Sequence, residues 1–289
     1  MSENNLNPAT VITLSTLRLE CKNALGISTG TGFLFAFNFS DLGNDKQAVA
    51  IITNKHVVEG ALELKTTITL MPKDNLKAMN DSCRVPNAEH KPVIISNPIS
   101  RIAYHPNPDV DLCAIMISDL LSDIWSAHAT RHTILGENWF LNEEQRSFLR
   151  AIEPIVMIGY PNGLWDEANN LPLVRSGLTG SHALLDWNNQ KQFVVDSACF
   201  PGSSGSPVFL FQDGMFRNGS SYSPGTMCAL LGVPWGGPMF KVEGRIEQRP
   251  IPTGIADIPI MNTMMNLGYV VKADEILVLK NIVVKLTQS

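Results

Sequence analysis

A glycine- and serine-rich segment in the second half of the chain has the composition of a nucleophile loop. Residues 196–208 read Asp-Ser-Ala-Cys-Phe-Pro-Gly-Ser-Ser-Gly-Ser-Pro-Val. A serine that attacks a carbonyl group needs a base to take its proton and N–H groups to hold the resulting oxyanion. With Gly202 two residues before Ser204, the backbone can turn so that both amides face one point. We predict Ser204 as the nucleophile and the amides of Gly202 and Ser204 as the oxyanion hole; the alternative is an ordinary surface turn.

His56 stands out among the six histidines because it closely follows an apolar strand. The segment Ala48-Val-Ala-Ile-Ile runs into Thr53-Asn-Lys-His-Val-Val, which would hold the imidazole rigidly with one edge facing outward. A general base needs such a fixed position within reach of the proton that it takes. A hydrogen-bonded core histidine is the alternative, but the position of His56 ahead of the serine loop favours the base.

A catalytic histidine also needs a carboxylate on its other ring nitrogen, which fixes the tautomer and stabilises the imidazolium. Asp111 directly precedes the apolar run Leu112-Cys-Ala-Ile-Met-Ile, where a side chain can be buried at the start of a strand. Asp109 is the competing candidate, but Pro106 and Pro108 before it indicate an exposed loop. We therefore favour Asp111.

These segments resemble those of the trypsin-like (chymotrypsin-fold) serine peptidases, most closely the bacterial HtrA/Deg-type branch. There the loop reads Thr-Asp-Ala-Ala-Ile-Asn-Pro-Gly-Asn-Ser-Gly-Gly-Pro, and the matching positions are Asp196, Ala198, Pro201, Gly202, Ser204, Gly205 and Pro207. The order His56, Asp111, Ser204 is also that of chymotrypsin-type enzymes. Ser203 and Ser206 depart from the pattern. Without an acid at position 203, the zymogen switch of the family has no anchor here.

The resemblance implies an all-β fold of two packed antiparallel barrels with the triad in the cleft between them. The first barrel would span residues 10–118, opening with a strand at 10–22 that alternates apolar and polar residues. Residues 119–154 would form a linker with short helices, one of them capped by Asn142. The second barrel, residues 155–289, would carry an insertion at 239–265 and end in a helix from Ala273, which leaves no chain for a PDZ domain.

The resemblance also implies a substrate-binding surface. The base of the primary pocket falls near Ala198 and Cys199, followed by Phe200 and Pro201; Gly236 and Gly268 are wall residues, and Val233, Pro234, Trp235 and Gly236 form the strand that pairs with substrate backbone. Family members that cut after Lys or Arg carry a buried carboxylate at the pocket base. None is found there, so we predict an apolar or small residue before the cut, although Asp196 or Asp257 could supply a charge from elsewhere.

A second loop, Asn162 to Asn170, lies beside the active site in this family and would touch the substrate. Its carboxylates, Asp166 and Glu167, could select a basic residue or simply be solvated, and solvation is the favoured interpretation.

Composition limits the other classes of function. The chain has a net charge of −5 and no Lys/Arg cluster, which disfavours nucleic acid and anionic membrane as partners. The N-terminus lacks the basic and apolar regions of a signal peptide, so we expect a cytoplasmic protein. Five cysteines without a C-x-x-C pair argue against a disulfide framework and a zinc site. We expect neither a metal nor an organic cofactor.

The sequence therefore predicts an intracellular serine endopeptidase that hydrolyses protein or peptide substrates through a Ser-His-Asp triad and an acyl-enzyme. The alternative is a protease-fold binding or scaffold module that is catalytically idle or switched on by an activating partner protein.

Overall fold

The chain folds mainly into antiparallel β-strands. A computed structural model describes residues 6–40, 46–71, 88–243 and 260–288. Within them, the strands form an eight-stranded sheet, a closed six-stranded barrel and two small two-stranded sheets. The predicted all-β class is confirmed.

The first sheet contains the strands of the N-terminal half. They are β1 (Thr16–Asn23), β2 (Gly26–Asn38), β3 (Gln47–Thr53), β4 (Glu63–Met71), β5 (Glu89–Ser96), β6 (Ile102–Tyr104), β7 (Cys113–Met116) and β8 (Ala129–Thr130). Their order is β5-β4-β1-β2-β3-β7-β6, and β8 pairs with β4. The short strand β8 thus ties part of the predicted linker to this sheet.

The first sheet curls around its own apolar core without closing. Ile95 on β5 and Ile102 on β6 belong to one buried cluster, although these strands are the two edges of the sheet. No ladder joins β5 to β6 within the described ranges. The chain passes directly from one edge to the other through a 3-10 turn at Pro98–Arg101, and this turn occupies the place where a barrel would close.

The predicted opening strand is wrong in its first half. Residues Pro8–Leu14 form helix α1, and β1 begins only at Thr16. The Asn7 side chain accepts a hydrogen bond from the Ala9 amide and Pro8 occupies the first turn, which is a typical helix start. Thr10 and Leu14, four residues apart, are both buried. The same buried residues therefore fit one face of a short helix as well as one face of a strand.

The C-terminal half forms the closed barrel. Its strands are β9 (Pro154–Gly159), β10 (Leu173–Thr179), β11 (Gln192–Asp196), β12 (Val208–Gln212), β13 (Met215–Asn218), β14 (Ser221–Pro224), β15 (Met227–Gly236), β16 (Met239–Glu243), β17 (Ile260–Met264) and β18 (Leu267–Lys272). The barrel order is β10-β11-β18-β15-β12-β9, while β13-β14 and β16-β17 are separate hairpins. The inner part of the predicted insertion, 244–259, lies outside the described residues.

Helices occupy the connections and the C-terminus. They are α2 (Lys55–Val58), α3 (Ser118–Ala127), α4 (Glu143–Phe148), α5 (Asp274–Val278) and α6 (Lys280–Gln288). The predicted cap of α4 is confirmed: Asn142 accepts from the Gln145 amide, and the Gln145 side chain accepts from the Asn142 amide. The predicted C-terminal helix is two consecutive helices. No helix among the described residues is long and apolar enough to cross a membrane.

One apolar cluster joins the two halves. It contains Phe33 and Phe35 from β2, Phe209 from β12, Leu230 from β15 and Ile276 from α5, all fully buried. Burying each such side chain stabilises the fold by about 1.5–3 kcal/mol. The cluster fixes the two sheets against each other, so that loops from both can meet in one cleft.

Candidate active site

The predicted nucleophile loop connects β11 to β12 and crosses toward the first sheet. Gly202 and Gly205 both have φ +85°, a left-handed conformation that other residues rarely adopt. A Cβ atom at position 205 would lie 1.9 Å from the Thr31 carbonyl oxygen and 2.4 Å from Thr53 Oγ1. Both glycines are therefore required by the backbone path, and Gly205 also by the close approach of the first sheet.

Three of the five amides in residues 202–206 of this loop are occupied by hydrogen bonds. The Ser203 amide donates to the Phe200 carbonyl at 2.9 Å, and the Ser206 amide donates to the Ser203 carbonyl at 3.1 Å. The Gly205 amide donates to the Pro234 carbonyl of β15 at 3.1 Å. These bonds hold the loop as a compact double turn against the strand predicted to bind substrate.

The amides of Gly202 and Ser204 have no protein acceptor among the hydrogen bonds of the described residues. The Pro201 carbonyl accepts from the Asn162 amide at 2.6 Å, on the far side of the loop. In a trans peptide the C=O and N–H groups point in opposite directions, so the Gly202 N–H is directed away from Asn162. Within residues 202–206 of the described structure, the two amides predicted as an oxyanion hole are thus the two without a protein acceptor.

Thr31 attaches the loop to the first sheet. Its amide donates to the Ser204 carbonyl at 2.9 Å, and its hydroxyl donates to the Gly202 carbonyl at 2.8 Å and accepts from the Tyr160 amide at 3.0 Å. Its own carbonyl accepts from the Thr53 hydroxyl at 2.7 Å. Sequence reasoning missed this residue; the only signal was a small polar residue between Gly30 and Gly32.

His56 lies on the short helix α2, three residues after β3 ends, rather than at the end of the strand itself. Asp111 lies two residues before β7. Its Oδ2 is 2.5 Å from His56 Nδ1, and its Oδ1 accepts from the His56 amide at 3.2 Å. Because a carboxylate only accepts, Nδ1 carries the proton and Nε2 is left as the acceptor. The imidazole is 44% exposed, so this nitrogen is available to a nucleophile.

The surroundings of Asp111 and Asp109 distinguish the two candidate acids. Asn54, which is fully buried, donates from its side chain to the Asp111 carbonyl at 2.6 Å and so fixes the acid segment beside the histidine. Asp109 is exposed, and its amide bonds the Asn107 side chain within the same loop. The structure therefore brings Asp111, and not Asp109, to His56.

Ser204 and His56 are not joined by a hydrogen bond in this structure. The Ser204 hydroxyl lies 3.5 Å from the Trp235 carbonyl oxygen, at the limit of hydrogen bonding. His56 lines a shallow cavity of about 420 Å³ with Asp111, and Ser204 lines a neighbouring one of about 100 Å³. Catalytic hydrogen bonds are often long in unliganded enzymes and shorten when substrate binds.

The smaller cavity contains most of the predicted substrate-binding residues, and we call it the primary pocket. It is lined by Cys199, Phe200, Pro201, Ser203, Ser204, Pro234, Trp235 and Gly236. None of these side chains is acidic. Asp196 is exposed on the barrel surface, and Asp257 lies outside the described residues.

Three of the predicted substrate-binding residues are not among the lining residues of the primary pocket. Val233 is fully buried in the cluster between the two sheets. A Cβ atom at Gly268 would lie 2.3 Å from the Cys199 sulfur, so Gly268 stands behind Cys199. Ala198 is half-buried one position before the pocket.

The end of β15 offers a free edge beside this pocket. Strand β15 pairs with β12 on one side and with β18 on the other. The ladder with β12 ends at Gly232 of β15, whereas the ladder with β18 continues to Gly236 of β15. Beyond Gly232, no described strand pairs with the other side of β15, although the Pro234 carbonyl already accepts from the Gly205 amide, so that Trp235 and Gly236 form the open part of this edge. Such an edge is a usual place for an extended peptide to add as a strand.

The loop after β9 is held by the first sheet. The Asn170 side chain donates to Thr69 Oγ1 at 3.0 Å, and His90 Nε2 lies 3.2 Å from the Ala168 carbonyl. Asp166 is exposed and accepts from the Asn169 side chain at 2.7 Å, a bond that lowers the pKa of the Asp166 carboxyl. The Asp166 carboxylate therefore stabilises the conformation of its own loop through this hydrogen bond.

A larger cavity lies elsewhere in the described structure. It has a volume of about 970 Å³, is lined by residues including Trp125, His132 and Lys280, and contains none of the predicted catalytic residues. Burial lowers the pKa of His132 to about 4, so its imidazole is neutral and structural. Within the described residues, no group of three or more His, Cys, Asp or Glu side chains is arranged to hold a metal ion.

Comparisons with solved structures show similar folds. The HtrA-type protease AlgW, solved with a tripeptide, superposes with a TM-score of 0.50 at 12% identity, over 95% of this chain and 62% of its own. A serine endoprotease from Yersinia pestis gives a TM-score of 0.49 at 12% identity, over 96% and 65%. This chain thus spans about three fifths of the length of AlgW.

At such low identity, these structures show the fold alone. A comparison with curated protein sequences finds no match. The trypsin-like peptidase domain family has a model that matches residues 30–216, well over half of the chain and including His56, Asp111 and Ser204. The chain belongs to the trypsin-like peptidase domain family.

Proposed function

We propose that this chain is a serine endopeptidase that uses Ser204 as nucleophile, His56 as general base and Asp111 as the carboxylate that orients it. The observation that carries this proposal is the pair of unpartnered amides at Gly202 and Ser204. A turn with only a structural role would direct these N–H groups to protein acceptors, as this one does the amides of Ser203, Gly205 and Ser206.

The mechanism follows from the atoms in place. Asp111 Oδ2 holds the proton on His56 Nδ1, so Nε2 takes the Ser204 proton as Oγ attacks the carbonyl carbon. The Gly202 and Ser204 amides hold the oxyanion. His56 Nε2–H then protonates the leaving amine, and a water molecule, activated by the same nitrogen, hydrolyses the acyl-enzyme.

Substrate binding is proposed at the primary pocket and the free edge of β15. The peptide adds as a strand beside Trp235 and Gly236, which places the side chain before the cut in the pocket and the carbonyl at Ser204. The lack of an acidic lining residue disfavours Lys and Arg at that position. The substrate class is therefore protein or peptide with a non-basic residue before the cut.

The absent bond between Ser204 and His56 favours one second candidate, a protease fold that is switched on by a partner protein. Ser204 leans toward the Trp235 carbonyl instead of the imidazole. A partner that moves the nucleophile loop by a small distance would complete the triad. We also propose a cytoplasmic location, which is consistent with the free thiols of Cys21, Cys113, Cys199 and Cys228.

Cleavage of an unfolded protein tests the proposed activity. Purified protein is incubated with reduced, alkylated substrate protein, and the new termini are identified by mass spectrometry. We expect cuts inside the chain, with new C-termini that are rarely Lys or Arg, and none with Ser204→Ala. Cuts that persist at the same sites with Ser204→Ala would contradict the proposal.

A further inference from the structure

Arg175 is unusual because it is a charged residue on the inner face of a strand of the second barrel. It lies on β10 opposite Met157 of β9, and Met157 is buried in the barrel core, so the Arg175 side chain extends from the inner face of the strand. Its Nη1 atom is buried and has no hydrogen-bond partner among the described residues. Other arginines find carboxylates: Arg18 pairs with Glu20, Arg101 with Asp119, and Arg217 with Glu153.

The guanidinium lies against the wall of the primary pocket. Its Cζ atom is 5.0 Å from the centre of the Phe200 ring, and Phe200 lines the pocket. Cys199, the next lining residue, is buried, which raises the pKa of its thiol to about 11, while the positive charge of Arg175 opposes this rise. The positively charged guanidinium of Arg175 therefore lies behind Cys199 and Phe200 as seen from the pocket.

Other polar groups without partners occur in the same place. The hydroxyls of Ser197 and Ser203 are buried and make no hydrogen bond within the described part of the chain. Ser203 lines the pocket. Ser197 packs on β10, because a Cβ atom at Gly177 would lie 2.8 Å from its own Cβ. A buried polar atom without a partner costs about 1–3 kcal/mol, and more when it is charged. The surroundings of the pocket are therefore polar, although these buried atoms are not themselves exposed to it.

We propose that Arg175 is a specificity-determining residue and that the primary pocket accepts an acidic side chain, Glu or Asp, before the cut. The inference rests on the proposed peptidase function and names its substrate class. It replaces the apolar or small residue predicted from the missing acid at positions 198 and 199, since that prediction considered only the pocket base. Arg175 is not itself a lining residue, so its positive charge attracts a carboxylate in the pocket across the wall formed by Cys199 and Phe200.

The size and charge of the pocket agree with a short anionic group. Its volume is about 100 Å³, roughly the space of three liquid water molecules, which suits a short side chain better than an aromatic ring. No lining residue is acidic, so nothing on the wall repels a carboxylate. A Lys or Arg side chain would meet the like charge of Arg175 instead.

Product binding tests the inference without requiring turnover. Four fluorescent peptides of one sequence, ending in Glu, Gln, Leu or Lys, are titrated by anisotropy into the full chain carrying Ser204→Ala. We expect the Glu peptide to bind about tenfold tighter than the isosteric Gln peptide. Adding Arg175→Met abolishes that difference, and Arg175→Lys retains part of it. Arg101→Met, which removes an arginine paired with Asp119 far from the pocket wall, leaves it unchanged.

The outcomes separate this inference from the proposed function. Tighter binding of the Leu or Gln peptide, or a Glu preference that survives Arg175→Met, overturns the role of Arg175 alone. Failure of all four peptides to bind overturns the proposed product site as well, and with it the proposed function. If Arg175→Met proves unstable by its melting temperature, the comparison of the Glu and Gln peptides with Arg175→Lys decides between these outcomes.

Discussion

Replacing Ser204 by alanine lowers kcat/KM for peptide cleavage by about 10⁴- to 10⁶-fold, and replacing His56 by alanine does the same. The two residues act as one unit, because the hydroxyl is a nucleophile only while the imidazole takes its proton. The double variant is therefore no slower than either single variant. Initial rates on one internally cleaved peptide give these three values.

The matched control for Ser204→Ala lies in the same loop. The Ser206 hydroxyl is buried and has no hydrogen-bond partner among the described residues, so Ser206→Ala breaks no bond and should leave the rate close to that of the wild type. Additive losses in the double variant, or an equally large loss in Ser206→Ala, would contradict the roles assigned to Ser204 and His56.

Replacing Asp111 by asparagine lowers kcat by about 10⁴-fold. The carboxylate oxygen 2.5 Å from Nδ1 can only accept. A side-chain amide placed there can instead donate to Nδ1, which moves the imidazole proton to Nε2. The nitrogen that must receive the Ser204 proton is then already protonated. Measured kcat values for Asp111→Asn on a good peptide substrate check this expectation.

Asp109→Asn is the control that separates the two acids. Asp109 is exposed, and its side chain makes no bond to the imidazole in the described residues. We expect kcat to remain unchanged in this variant. If Asp109→Asn is the slower of the two variants, the assignment of Asp111 is wrong.

Local sequence patterns were sufficient for much of this site. An apolar strand before His56, an apolar run after Asp111 and two glycines around Ser204 each restrict the backbone within a few residues. The structure places His56 and Asp111 in contact and leaves the Gly202 amide unpartnered, as those patterns indicated. The capped helix after Asn142 was equally predictable, since a capping box involves only four neighbouring residues.

Features that depend on distant neighbours could not be read from the sequence. Thr31 matters because its amide and hydroxyl bond the nucleophile loop of the second barrel, while its carbonyl accepts from Thr53 on the neighbouring strand of the first sheet. Arg175 looks like an ordinary charge on a strand until the barrel closes and brings it to Phe200. Helix α1 was mistaken for strand because the buried Thr10 and Leu14 fit both periods over so short a segment.

The relation between Ser204 and His56 has the greatest bearing on function, since the Ser204 hydroxyl lies near the Trp235 carbonyl and is not bonded to His56 in this structure. A substrate carbonyl in the space below the Gly202 and Ser204 amides would draw Ser204 Oγ away from the Trp235 carbonyl. The same movement brings the hydroxyl toward Nε2. Either substrate alone or an additional partner protein supplies the driving force, and the two cases differ in whether the isolated chain reacts.

The most direct test of the account is labelling of the isolated protein with a fluorophosphonate, read by intact mass and peptide mapping. We expect a single adduct on Ser204 of the wild type, strongly reduced in His56→Ala and absent in Ser204→Ala. No adduct on well-folded wild-type protein, or one that persists in Ser204→Ala, would contradict a working triad in this chain. The first of these results would leave the partner-activated module as the better description.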